Sequence, residues 1–116
     1  MTIEECYEKI GGNFAEAKER LINEKMINRF VGMFLKDQSF AELKTAMEAG
    51  DREAAFRGAH TLKGVCQNLG FTSLYETAHE ITEKLRGRQT DGCGELMDRV
   101  TEEYERTVAA IKILDN

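Results

Sequence analysis

The chain has 116 residues, with 16 basic against 21 acidic side chains for a formal net charge of −5, and a pI near 5.1. That length suits one domain able to bury a core without disulfide or metal, and the acidic balance argues against a generic nucleic-acid binder. No apolar run approaches the ~20 residues needed to span a membrane, and no basic, apolar leader follows Met1, so the expected setting is a cytoplasmic, single-domain monomer without membrane contact.

Proline is absent, and ten glycines punctuate the chain instead. No segment alternates apolar and polar residues cleanly, whereas helical periodicity is strong throughout. Thr2 with Glu5 reads as a capping box opening a short helix to about Ile10, with Ile3, Cys6, Tyr7 and Ile10 on one face. Gly11-Gly12 stops it, and Asn13 with Glu16 opens a second short helix to about Leu21. Asn23 caps a third to about Lys36, striped by Met26, Ile27, Phe30, Met33 and Phe34. Ser39 with Glu42 opens a fourth, closed by Gly50. Asp51 caps a fifth, running through His60 to Leu69 and stopped by Gly70. Ser73 with Glu76 opens a sixth, whose inner face carries Leu74, Ala78, Ile81 and Leu85. A polar loop from Gln89 to Gly94 leads into a last helix from about Glu95, with Leu96, Met97, Val100, Tyr104, Thr107, Ile111 and Leu114 inward. The expected fold is all-α: an antiparallel four-helix bundle with additional short N-terminal helices. Residues 23–114 form its core and residues 1–22 an extension. The helices opened at Asn23, Asp51, Ser73 and Glu95 are expected to supply the four.

The three cysteines, Cys6, Cys66 and Cys93, are widely and irregularly spaced, and the two histidines are His60 and His79. No Cys-x-x-Cys pair is present, so the pattern points away from a structural zinc site and toward reduced thiols.

The informative stretch is Ala59-His60-Thr61-Leu62-Lys63-Gly64, continuing to Gln67-Asn68-Leu69-Gly70. At about 100° per residue, Leu62 and Leu69 fall almost opposite His60. Ala55, Gly58, Ala59, Val65 and Cys66 flank those leucines. That arc is the expected core face, so the imidazole should be open to water, among Glu53, Phe56, Arg57, Lys63, Gly64 and Gln67. Side chains on a helix lean toward its N-terminus, so a side chain at position 64 would cover the ring, and glycine leaves that space clear. An interior glycine costs about 1 kcal/mol relative to alanine and calls for a reason. Gly58, on the buried arc, has another: close helix packing. An exposed imidazole, a clear approach and a cation at i+3 suit attack by a neutral ring nitrogen on a phosphoryl group whose charge Lys63 offsets. A surface histidine with a chance lysine and glycine has the same spacing, and spacing alone leaves that alternative open.

His60-Thr61-Leu62-Lys63-Gly64, followed by Asn68-Leu69-Gly70, resembles the signature of histidine-containing phosphotransfer (HPt) domains, in which His-x-x-Lys-Gly lies on an exposed face of a four-helix bundle. Ala46-Met47-Glu48-Ala49-Gly50-Asp51 precedes the site helix where such domains carry it, and Gly11-Gly12-Asn13 resembles their early turn. The segment between Asn13 and Asn23 looks longer than in the commonest members. The resemblance spans roughly Gly11 to Ile113. It implies a phosphorelay intermediate in which a receiver domain's phosphoaspartate donates to His60 Nε2 and a second receiver takes the group onward. His60 is then the phosphoacceptor, Lys63 the charge stabiliser and Gly64 the source of steric access.

The implied partners are response-regulator receivers and a hybrid histidine kinase, with a free-standing chain acting as a shuttle. The protein would be a carrier rather than an enzyme. No Walker-type loop or kinase signature supplies an ATP site. It would need no cofactor of its own, the Mg²⁺ belonging to the receiver. Phe56, Arg57 and Gln67 beside the histidine, with Thr82 and Arg86 on the neighbouring helix, are the expected partner-binding residues. Tyr75 and His79 share that flank, His79 as a surface residue. The competing reading is a pseudo-HPt adaptor that docks a receiver or another partner without accepting phosphate. A helical metal or redox protein using the histidines and cysteines is a third.

Overall fold

The computed structural model describes residues 1–87 and 93–114. Among these the chain forms seven α-helices and no strand: α1 (Ile3–Lys9), α2 (Phe14–Leu21), α3 (Glu24–Phe34), α4 (Ser39–Ala49), α5 (Arg52–Leu69), α6 (Thr72–Arg86) and α7 (Cys93–Lys112). Residues 89–92 of the expected polar loop lie outside the described residues, and α7 already includes Cys93 and Gly94.

Four starts follow from local side-chain chemistry. Thr2 and Glu5 close a reciprocal capping box, and Asn13, Asn23 and Asp51 accept from the backbone N–H groups of Glu16, Met26 and Ala54, satisfying donors the first helical turn cannot. Two expected caps are corrected. Ser39 is the first helical residue of α4 and is buried, and the Asp37 carboxylate accepts from both its N–H and its hydroxyl. Ser73 lies inside α6, and its hydroxyl donates to Gly11 O at 3.2 Å. In both places a partner outside the expected box claims the serine.

The bundle is built by α4, α5, α6 and α7. Each packs along the next, and Phe40 of α4 closes the ring by stacking on Tyr104 of α7, with centroids 3.9 Å apart and planes 8° from parallel. Helix α4, not the expected α3, thus supplies the fourth helix of the bundle. The turn at Gly50, left-handed at φ +70°, folds α4 straight back onto α5. There Gly58 admits the α4 backbone: a β-carbon at 58 would sit 2.8 Å from Leu43 N and 3.0 Å from Leu43 Cα. Helix α3 instead covers part of the core with Ile27, Val31 and Phe34, the Phe34 ring meeting Phe71 at 5.2 Å and Tyr104 at 5.8 Å. Met33 stays exposed.

The N-terminal extension is pinned to the α5–α6 turn. Tyr7 Oη donates to Leu69 O at 2.6 Å, Asn13 N to Gly70 O at 2.8 Å and Ser73 N to Gly11 O at 3.2 Å. Gly70, at φ +71°, has no room for a side chain, since a β-carbon would lie 2.7 Å from Asn13 O. From α7, Arg106 donates to Lys9 O and Ile10 O at the end of α1. Ile22, at φ +76° and largely exposed, makes the sharp joint between α2 and α3.

The contact at Gly58 is backbone against backbone, so Gly58→Ala should cost about 1–3 kcal/mol as α4 is pushed outward. A urea midpoint unchanged from wild type would refute this packing.

Candidate functional site

Helix α5 turns its apolar arc inward as its sequence requires. Ala55, Gly58, Ala59, Leu62, Cys66 and Leu69 are buried, and His60 is exposed on the opposite side. Among the described residues the His60 imidazole makes no hydrogen bond or ion pair. It lies nearly parallel to the Phe56 ring one turn earlier, with centroids 5.8 Å apart and planes 12° from parallel. A β-carbon built on Gly64 meets nothing within 4 Å. The two interior glycines of α5 therefore do opposite things: Gly58 lets a neighbouring backbone in, and Gly64 keeps a surface clear.

Phe56 is half-buried, and its ring, beside His60, also meets the Arg86 guanidinium, which stands 5.0 Å from the ring centroid. Arg86 Nε donates to Glu83 at 2.9 Å. That hydrogen bond, and after it the nearby charges of Arg86 and Lys63, holds the Glu83 carboxyl below the usual carboxylate range. Arg57 is exposed and loosely paired with Glu53 at 3.8 Å. The Gln67 side chain is also exposed, while its backbone carbonyl accepts from Arg20. Phe56, His60 and Arg86 thus form one contiguous group, with Arg57 nearby. Gln67 lies two turns further along α5.

Thr82 does not belong to this surface. It is fully buried, and its hydroxyl donates to Ala78 O at 2.6 Å, so it has nothing to offer a docked partner. The expected flank of α6 is narrower than periodicity suggested: Thr82 sits on the core side with Ala78, Ile81 and Leu85.

His79, read from sequence as a surface residue, is half-buried. Its Nδ1 lies 3.4 Å from Lys63 Nζ. Lys63 therefore reaches across to α6. The hairpin register, which places position 79 level with position 63, was the available signal for this contact. Cys6, Cys66 and Cys93 are all buried and outside any disulfide, and burial, followed by the Asp37 charge, pushes the Cys66 thiol up.

This is an all-helical bundle offering an open imidazole beside an aromatic ring that a guanidinium also contacts, a surface suited to carrying a phosphoryl group. The Hpt domain family model matches residues 29–110, and the chain belongs to that family. No curated protein and no solved structure matches it. Hpt domains are phosphocarrier modules of two-component phosphorelays that interact with receiver domains and kinases. Among the described residues no helix is long and apolar enough to cross a membrane.

Open space above Gly64 means that a methyl there clashes with nothing. Gly64→Ala should leave the bundle intact and raise its stability by up to about 1 kcal/mol through the lost flexibility of glycine. A fall in melting temperature would show that the face above His60 is occupied.

Proposed function

We propose that the protein is a phosphorelay intermediate that accepts a phosphoryl group from a receiver's phosphoaspartate on His60 and passes it to a second receiver. The observation that carries this reading is the exposed His60 imidazole under the clear space at Gly64. The Nε2 lone pair attacks phosphorus, the bond from phosphorus to the aspartate oxygen breaks, and the carboxylate leaves with its electron pair. Reversal onto another receiver's carboxylate completes the relay. The receivers bring the aspartate and the Mg²⁺, so this chain needs no cofactor of its own.

Little chemistry remains for the bundle beyond positioning and charge. Lys63 offsets the arriving negative charge. Phe56 backs the imidazole with an apolar surface that a docked receiver would cover. Arg86, Arg57 and Gln67 frame that surface with polar and cationic groups suited to an acidic partner. A hybrid kinase carrying its own receiver could be the donor.

The test is incubation with phosphorylated receiver and Mg²⁺. Acid-labile label should appear on the wild type and be lost in His60→Gln. Equal labelling of both would sink the relay, and absence of label with retained receiver binding would make the protein a docking adaptor. Gly64→Gln should fold normally yet transfer about 100-fold more slowly, because its side chain overlies the ring and displaces the incoming phosphorus. An unchanged rate would remove the access argument.

A further inference from the structure

We infer that His79 is a positioning residue for Lys63, holding the ammonium on a ring nitrogen rather than in an ion pair, so that its charge can serve a phosphoryl group on His60. This rests on His60 being the phosphoacceptor. Lys63 and His79 stand on the two helices of one hairpin, with Lys63 Nζ 3.4 Å from His79 Nδ1. An ammonium donates and cannot accept. Nδ1 is therefore the acceptor, and the ring N–H sits on Nε2. The acceptor is itself held in place: the His79 ring is half-buried and lies nearly parallel to Tyr75, with centroids 5.9 Å apart and planes 13° from parallel. Lys63 uses one N–H here and keeps two for phosphoryl oxygens.

The kind of acceptor is what matters. A carboxylate in place of the imidazole would hold Lys63 equally well and cancel its charge. Carboxylates are close by, because Glu80, Glu83 and Glu95 line the same cleft as His79, together with Lys84 and Arg99. The two on α6 are occupied by arginines: Glu80 pairs with Arg99 at 3.0 Å and Glu83 with Arg86 at 2.9 Å. Among the described residues Lys63 makes no ion pair. The arginines thus hold the two α6 carboxylates while His79 holds the lysine. A long, flexible cation is ordered without being neutralised, the condition under which it best stabilises charge that arrives only during transfer.

The full chain carries the test, with transfer timed from receiver domains charged by acetyl phosphate in Mg²⁺. His79→Asn places an amide oxygen near Nδ1 and should transfer close to the wild-type rate. His79→Asp supplies the same hold but cancels the charge, and His79→Ala removes the hold. Both should slow transfer by about tenfold at unchanged receiver affinity. Neither should add to the defect of Lys63→Ala. In ring ¹⁵N spectra, His79 should show the Nε2–H tautomer in wild type and lose that preference in Lys63→Ala.

Transfer by His79→Ala at the wild-type rate, His79→Asp matching His79→Asn, an additive defect with Lys63→Ala, or an Nδ1–H tautomer in wild type would each overturn the inference. A wild type that takes no label on His60 fails at the earlier step, removing the relay and this role together. A wild type that labels normally while the His79 variants match it removes this role alone.

Discussion

The rotation of α5 about its own axis governs everything at the site. Successive residues on a helix are about 100° apart, so even a one-residue rotation would carry His60 a long way toward the core and bring a leucine toward water. That rotation is set on the far side of the helix, where Gly58 lies against the Leu43 backbone. Backbone contact is stricter than side-chain contact, because no rotamer change can relieve a clash. With Gly58 fixed against α4, and with Leu62 and Leu69 inside, the imidazole has only the outer face available. Exposure of the His60 ring is thus a consequence of packing on the opposite side of the same helix.

The charges around that ring are arranged by pairing. The arginines near the site engage glutamates, Arg86 with Glu83 and Arg99 with Glu80, whereas Lys63 rests on an imidazole nitrogen. Exposed ion pairs of this kind contribute little to stability, typically under about 1 kcal/mol. Their consequence here is that, among the described residues, Lys63 is left outside any ion pair. Arg86 has a second contact, its guanidinium over the Phe56 ring. Phe56 in turn lies beside His60, so the ring next to the imidazole makes one cross-helix and one intrahelical contact.

What could be read from the sequence was whatever depends on neighbours close in the chain. The caps at Thr2, Asn13, Asn23 and Asp51 are local hydrogen bonds spanning three residues, and each formed where the residue types called for it. The stops at Gly50 and Gly70 require left-handed backbone, which glycine adopts readily. The face of His60 followed from helical periodicity alone. The misreadings lie where a distant segment decides. Ser73 gives its hydroxyl to Gly11, sixty-two positions away. Helix α4 displaced α3 from the bundle because Gly58 admits it, although α3 carries the stronger apolar stripe. Helical spacing groups Thr82 with the flank of Tyr75, His79 and Arg86, but its hydroxyl is satisfied by its own helix at Ala78 O, which lets it be buried. The Lys63–His79 contact needed the hairpin register at single-residue accuracy, and periodicity does not supply that.

That register is fixed at the turn. Phe71 N donates to Cys66 O and Gly70 N to Gln67 O, which closes α5. The same turn is gripped from outside, where Asn13 N binds Gly70 O, Gly11 O receives Ser73 N, and Tyr7 Oη binds Leu69 O. A slip of one residue between α5 and α6 would break these bonds together. It would also move position 79 away from the level of Lys63. The N-terminal segment touches the α5–α6 hairpin at its closed end, about ten residues along α5 from His60, or roughly 15 Å at 1.5 Å per residue. Its influence on the site therefore passes through register: by holding the turn in one alignment, it determines which side chain of α6 Lys63 meets.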